Sequence, residues 1–379
     1  MVSENTIVRS RKIRIYLDKE NKVLFEQYLN QSRYWYNQTI EYLKQKGTKA
    51  LLYEVRKIIQ NQKKPDWAYK CPQRIREHAI KDACNAVKNA KVKYMKQGGF
   101  NKVKFRSRKS PKQSFGFDKQ SLGSNFIFRG KYRIHFTSKE RCYADREGTK
   151  IIKENNRWFL ILPQERNTKI AENQGLGIVA LDPGIRTFQT YYSVSSHGKI
   201  GNNAFIRIFR LCKVLDKLQA KISKSKRKYN LIKASKRLRW KIKDLIKDIH
   251  YKTASFLVNN FSVILIPTFE TSQMIGKLRS KTARMMATFS HYSFKQFLKT
   301  KAEEYSCKVI EVNEAYTSKT CSYCGTINKI GSKKILKCSN CEVKVDRDLN
   351  GSRGIFLREL AASPKMFEEH LAIQLNSYI

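Results

Sequence analysis

The chain has no run of eighteen or more apolar residues and no charged-then-apolar leader at its N-terminus. Neither a transmembrane helix nor a secretory signal is therefore expected, and a soluble, intracellular protein is. Acidic residues are scarce. There are 31 Asp and Glu against 77 Lys and Arg, a formal net charge of +46. A compact monomer with that charge repels itself, so a polyanion is the expected habitual partner, and nucleic acid is the first candidate. The basic residues run along the whole chain instead of forming one juxtamembrane cluster, which argues against a membrane-surface role. A ribosomal or histone-like packing protein would be equally basic. Against it stand the length of 379 residues and the 20 Phe, 19 Tyr and 4 Trp, enough for two or three domains with a sizeable core. No internal repeat is found. A disulfide framework is not expected either, because five of the nine cysteines (Cys71, Cys84, Cys142, Cys212 and Cys307) are isolated, as reduced core thiols are.

The remaining four cysteines form two CxxC pairs, Cys321 with Cys324 and Cys338 with Cys341, separated by thirteen residues. Two such knuckles make a tetrahedral thiolate site for zinc; a redox CxxC is the lesser alternative. The segment continues into Asp346-Arg347-Asp348-Leu349-Asn350-Gly351, an acidic cluster that suggests a second, harder metal nearby.

The pattern along the chain divides it. Residues 7–16 alternate like a half-buried strand, and residues 20–45 turn helical with Leu24, Phe25, Tyr28, Leu29, Trp35, Tyr36, Ile40 and Leu43 on one face. Further helices are predicted over about 49–62 and from Pro72 to about 96. Residues 98–113 form a basic linker, and 114–165 read as short strands split by Gly and Asn turns. Strands on either side of a helical insert suggest one small β-barrel interrupted by helices. After a polar stretch at 166–175, Ile178-Val179-Ala180-Leu181 is a continuous apolar run, as in a strand buried on both faces. Strands are also predicted over 187–193, after Gly198, over 261–267 and over 308–312. Residues 205–260 are long, helical and basic; a solvated face would explain them, but charge of one sign at this density fits a phosphate-contacting face better.

Three acidic positions stand out. Asp182 follows the strand 178–181, Glu270 follows the strand 263–266, and Asp346 and Asp348 precede a helix predicted from Asn350 to Leu360. In an open α/β sheet, function collects at the C-terminal strand ends. Carboxylates converging there repel unless a cation lies between them, and hard oxygen ligands select Mg²⁺ or Mn²⁺. Two such ions about 4 Å apart activate water and stabilise the leaving oxygen of a phosphodiester. Taken singly, Asp182 reads as a turn or cap residue and Asp348 as a helix N-cap. The charge and the zinc knuckles make the metal reading the better one.

The order strand–Asp-Pro-Gly (182–184), strand–Glu270, Thr-Ser-Lys-x-Cys-x-x-Cys (317–324), Cys-x-x-Cys (338–341) and Asp-Arg-Asp-x-Asn-Gly (346–351) resembles the TnpB family of transposon-encoded RNA-guided nucleases. Its relatives include the Fanzor proteins and the type V CRISPR effectors, and the ending Asn-Gly-Ser-Arg-Gly-Ile-Phe-Leu-Arg (350–358) is similar to the Fanzor branch. Looser N-terminal similarity lies in Tyr34-Trp35-Tyr36-Asn37, in Pro72-Gln73-Arg74-Ile75-Arg76 and in Lys-Phe-Arg-Ser (104–107). The resemblance implies an α/β plus β fold. An RNase H-like (RuvC) nuclease domain would span 171–315 and 345–379, with a zinc-binding insertion at 316–344. A wedge barrel would span 1–19 and 98–170, and a helical recognition lobe 20–97. It implies Asp182, Glu270 and Asp348 as catalytic acids holding Mg²⁺ or Mn²⁺, with Asp346 the lesser ligand of its pair, and Cys321, Cys324, Cys338 and Cys341 as ligands of a structural Zn²⁺.

The implied partners are a guide RNA and a double-stranded DNA target, with no membrane, and a single chain with its RNA is the expected assembly. Pairing of the RNA would supply sequence specificity while the protein reads backbone shape and a short flanking motif. Candidate nucleic-acid contacts are Gln73, Arg74, Arg76, Lys81, Lys102, Lys104, Arg106, Arg108, Arg227 and Arg237. Tyr34 and Trp35 are candidates for base stacking, with a core role equally open. His197, His250 and His291 lack ligand partners at metal spacing and read as structural or phosphate-contacting. An RNA-guided repressor or transposition accessory that cuts nothing, and a guide-independent nuclease of branched DNA, are the competing readings. The expected location is the nucleus for a eukaryotic or viral host and the nucleoid for a bacterial one.

Overall fold

The structure is a computed structural model that describes residues 6–99, 101–169, 177–268, 280–313, 317, 319–329, 331 and 333–368. The chain divides into two compact units, Met1–Arg166 and Asn167–Ile379. No described helix is long and apolar enough to cross a membrane.

The first unit runs β1 (Thr6–Tyr16), α1 (Lys19–Leu43), α2 (Leu52–Asn61), α3 (Asp66–Tyr69), α4 (Gln73–Gln97), β2 (Lys112–Gly116), β3 (Phe126–Ile127), β4 (Ile134–His135), β5 (Thr137–Ser138), β6 (Lys150–Glu154) and β7 (Arg157–Asn167). Asp18 caps α1 by accepting the Asn21 N–H at 2.7 Å. One stripe of α1 serves two cores. Phe25, Tyr28 and Leu29 pack with Ile13 and Ile15 of β1, Phe115 of β2 and Leu160 of β7. A turn or two later, Trp35, Tyr36 and Ile40 pack with Val55 and Ile59 of α2 and with Ala79, Ile80 and Ala83 of α4. Leu24, expected on the same stripe, is exposed. The strands form a five-stranded sheet in the order β2-β6-β7-β1-β5 and a separate β3-β4 ribbon. Closure of that sheet into a barrel is not among the described pairings.

The second unit runs β8 (Ile178–Pro183), β9 (Gln189–Tyr192), β10 (His197–Ile200), α5 (Ala204–Lys224), α6 (Tyr229–Asn260), β11 (Val263–Pro267), α7 (Ser280–Phe289), α8 (His291–Glu304), β12 (Lys308–Val312), β13 (Ile335–Lys337), β14 (Lys344–Asp346) and α9 (Arg347–Ala362). Its sheet is ordered β10-β9-β8-β11-β12. β8, β9 and β10 pair antiparallel, and β11 lies parallel between β8 and β12. A mixed sheet of this order, flanked by helices, fits the RNase H-like expectation.

The apolar run of β8 is continuous because both sheet faces are covered. Val179 and Leu181 join Ile264 and Ile266 in a core with Ile208 and Leu215 of α5, Leu257 and Val258 of α6 and Phe294 and Leu298 of α8. Ile178 and Ala180 join Val263 and Leu265 against Ile355 and Phe356 of α9. Each fully buried Ile or Leu contributes about 1.5–3 kcal/mol through burial. The strand period of two turns Asp182, the residue after Leu181, to the face that α9 covers.

Candidate active site and metal centre

β8, β11 and β12 point the same way, so their C-terminal ends share one edge of the sheet. The register pairs Ala180 with Leu265 and Pro267 with Val312. Carried on by two residues, it sets Asp182 level with Pro267. Glu270 lies three residues further on, outside the described residues.

Asp182 is half-buried and, by its parity on β8, faces α9. There it meets Gly351. A β-carbon built on Gly351 would stand 2.5 Å from Asp182 Oδ2, closer than real β-carbons come to a polar atom, so glycine is what lets the carboxylate approach the helix. Asp348 lies three residues earlier on α9, one turn away and on an adjoining face. The turn after Asp182 is also tight: a β-carbon on Gly184 would meet the Thr187 carbonyl at 2.7 Å.

Of the two acids at the start of α9, Asp346 is the helix cap and Asp348 is not. The Asp346 Oδ1 accepts the N–H groups of Asp348 at 3.0 Å and Leu349 at 3.2 Å. Its Oδ2 accepts from Lys199 Nζ of β10 at 2.6 Å. Partial burial works to raise the Asp346 pKa, but Lys199 and the Leu349 N–H hold it below the ordinary value. The cap is also why α9 begins at Arg347 instead of Asn350. Asp346 is thus occupied, whereas no ion pair of Asp348 is found among the described residues.

The four paired cysteines converge as the spacing predicts. Their sulfurs all lie within 4.8 Å of one another, with Cys321 and Cys341 3.7 Å apart and Cys324 and Cys338 3.4 Å apart. Tetrahedral zinc with Zn–S bonds of about 2.3 Å needs sulfurs about 3.8 Å apart. Each knuckle turns its backbone inward: Gly325 N–H donates to the Cys321 carbonyl, and Asn340 N–H to Cys338 Sγ at 3.4 Å. β13 and β14 close the ribbon between and after the pairs, with Leu336 opposite Val345. The Thr326 hydroxyl and N–H draw the Cys324 thiol down to about 5, and the N–H groups of Cys341 and Asn340 draw down Cys338. Despite the Val343 N–H, burial and the three neighbouring sulfurs push Cys341 up to about 12. Four thiols this close resist ionising together, and a divalent thiophilic ion such as Zn²⁺ removes the conflict.

The family description "Cas12f1-like, TNB domain" matches residues 291–355, a stretch that contains all four cysteines and Asp348. The TnpB-like protein L79 of Acanthamoeba polyphaga mimivirus is 25% identical over 92% of this chain and 72% of its own length. The CRISPR-associated endodeoxyribonuclease Cas12f1 of Sulfoacidibacillus thermotolerans is 31% identical over 33% of this chain and 30% of its own. The chain is thus similar to TnpB-like and Cas12f1 proteins. A solved Cas12f1–sgRNA–target DNA complex shares the fold, with a TM-score of 0.54 over 93% of this chain and 99% of that one at 15% identity.

The nucleic-acid candidates differ in burial and in the partners they hold. Trp35, offered for base stacking, is 0% exposed and donates from Nε1 to the Ala68 carbonyl at 2.9 Å. No base can reach it, so its core reading holds. Tyr34 is half-buried with its ring 4.9 Å from that of Trp67. Arg106 is a strut: it donates to Asp82 at 2.8 Å, its guanidinium lies 3.9 Å from the centre of the Tyr36 ring, and its N–H donates to Asn37. Gln73 donates to Glu77, and Arg74 pairs with Glu77 and Asp118. Arg76 lies over the Trp35 and Tyr69 rings. Lys81, Lys102, Lys104, Arg108, Arg227 and Arg237 are exposed.

The structure also supplies roles that spacing did not reveal. His250 and His291 both stack on Phe188, each with its ring centroid 5.2 Å from the Phe188 centroid. Burial, then the neighbouring His250, depresses His291 to about 4 against a partly offsetting bond to the Gly184 backbone. Through its stack on Phe188, His291 packs against the end of the turn after Asp182. Asn350 is wholly buried between α9 and the first knuckle. No periodicity marks either role, because both depend on contacts between distant segments.

Proposed function

We propose that this chain is an RNA-guided, divalent-metal-dependent DNA endonuclease. The observation that carries the reading is the approach of the Asp182 carboxylate to Gly351, within one helical turn of Asp348, at the shared C-terminal edge of parallel strands. A helix held this close by a glycine forms a cradle for a cation between acids, and the all-oxygen donor set suits Mg²⁺ or Mn²⁺. Asp182 and Asp348 would hold the ions, with Glu270 as the third acid. When bound, the ions supply a water of lowered pKa and positive charge at the leaving oxygen of a phosphodiester. Asp346 and Lys199 fix the start of α9, and His291, through Phe188, packs against the end of the turn after Asp182. The four cysteines would hold Zn²⁺ as a structural ion.

The +46 charge supports a polyanionic partner, and the named relatives support an RNA guide and a DNA target. Scission beside a short flanking motif, residence where the host keeps its DNA, and one chain per RNA complete the proposal. The test is reprogramming. RNA that co-purifies with the chain is sequenced, its guide segment is replaced, and DNA matching the new segment is offered with Mg²⁺. Cleavage that moves to the new sequence is expected. Cleavage indifferent to the RNA would favour the branched-DNA nuclease, and guided binding without scission would favour the repressor.

A further inference from the structure

Asn350 lies between the Cys₄ centre and the acidic edge. Its side chain is 0% exposed. Its Oδ1 accepts the N–H of Ser322, the residue after the first zinc-site cysteine, at 2.9 Å. Its Nδ2 donates to the Thr320 carbonyl at 2.8 Å and to the Thr317 carbonyl at 3.4 Å. One amide thus grips three backbone groups of the first knuckle and its approach. Its own backbone belongs to the first turn of α9, two residues after Asp348 and one before Gly351. A second tie runs parallel to it, with the Arg353 guanidinium 4.0 Å from the centre of the Tyr323 ring, but Tyr323 is exposed.

The chain of contacts is short and rigid. The sulfurs of Cys321 and Cys324 fix the knuckle, the knuckle presents the Ser322 N–H and the Thr320 carbonyl, and Asn350 reads both. Side-chain amides that bridge fixed backbone groups orient what they are attached to, as outer-shell partners of metal ligands do. Few other side chains would serve: Asp lacks the two donated hydrogens, and Ala leaves the half-buried Ser322 N–H and Thr320 carbonyl without this partner.

We propose that Asn350 is a positioning residue that couples the Cys₄ centre to the acidic site, so that an ion held by the four cysteines sets the affinity of the acids for their own cation. The coupling rests on the reading of Asp182 and Asp348 as cation ligands. It assigns the zinc ribbon a second role beyond folding its own segment: occupancy of one metal centre is transmitted to the other through a single buried amide.

The experiment uses the full chain with its co-purified RNA and measures Mn²⁺ binding by electron paramagnetic resonance. The sites of interest are those that Asp182→Ala removes, which separates them from Mn²⁺ held by RNA. Asn350→Ala is expected to retain its zinc yet bind Mn²⁺ at these sites about tenfold more weakly. Hydrogen exchange should rise in residues 347–351. Stripping zinc should weaken Mn²⁺ binding in the wild type by a similar factor and add little in Asn350→Ala, the non-additivity of two changes acting through one contact. Should Asn350→Ala fail to fold, zinc stripping and restoration in the wild type still decides: a Mn²⁺ affinity that ignores zinc overturns the coupling. Normal Mn²⁺ binding in folded Asn350→Ala, or full additivity, overturns the role of Asn350. If Asp182→Ala removes no Mn²⁺ site, the acidic-site reading itself falls, and the inference falls with it.

Discussion

The carboxylate of Asp182 occupies the space beside Gly351 that a side chain would need, with Oδ2 2.5 Å from the position of a β-carbon there. Strand β8 and helix α9 therefore meet at a point where one partner has no side chain and the other bears a charge. Gly351→Ala is expected to push the carboxylate or the helix aside by about an ångström and lower single-turnover cleavage by about 10²-fold. RNA binding and the melting of the first unit should stay unchanged. Quenched-flow cleavage beside a filter-binding assay checks this, and cleavage at the wild-type rate would mean the close approach has no part in catalysis.

The Cys₄ centre is expected to be structural. Cys338→Ser removes one of four thiolates and puts a smaller oxygen in place of the sulfur that accepts from the Asn328 amide and the Asn340 N–H. Zinc content should fall, and limited proteolysis should cut the segment between 317 and 346 that resists it in the wild type, with activity lost as a consequence. A variant that kept its protection while losing cleavage at ordinary Mg²⁺ would contradict the structural assignment.

The histidine stack predicts a pH dependence. His291 has a folded-state pKa of about 4, below its ordinary 6.5, so the unfolded chain binds a proton that the folded chain refuses. Stability is then complete above about pH 6.5, falls as the pH drops, and stops falling near 4, where both states are protonated. The shift corresponds to roughly 3 kcal/mol. His250, depressed by burial despite its bond to the Phe289 carbonyl, acts in the same direction. Urea melts of the wild type and His291→Gln between pH 7 and 4 measure it. The variant should be less stable at pH 7 and show the shallower slope; parallel slopes would remove His291 as the cause.

Trp35 and Arg237 should separate cleanly. Trp35→Ala empties a fully buried core position and is expected to cost about 3–5 kcal/mol of stability. Arg237 is exposed on the basic helix α6, and Arg237→Ala should leave the melt alone while reducing the salt slope of RNA binding by about one. Salt titrations of RNA affinity for both variants, beside their melts, check the pair; an unchanged slope for Arg237→Ala would place that residue outside the RNA contact.

Local regularities made part of the fold legible in the sequence. The run Ile178–Leu181 announced a strand covered on both faces, and the observed β12 ends match those expected from Lys308 to Val312. The cysteine spacing announced the Cys₄ centre because two knuckles need little beyond themselves. The helical stretch 205–260 hid a break, since 225–228 continue its basic composition while leaving the helix. Trp35 stayed open between base stacking and the core for want of any view of α3, whose Ala68 carbonyl receives its N–H. The Lys199–Asp346 pair, the Phe188 stack and the Asn350 amide were illegible for one reason. Each joins segments that only the fold brings together, through a single side chain that leaves no period in the sequence.

The most direct measurement of the central claim is guided DNA cleavage by Asp182→Ala and Asp348→Ala, each loaded with the same RNA as the wild type. Loss of cleavage to background with guided DNA binding retained within a few-fold is the predicted result. Full cutting by either variant would contradict the assignment of the acidic edge as the active site.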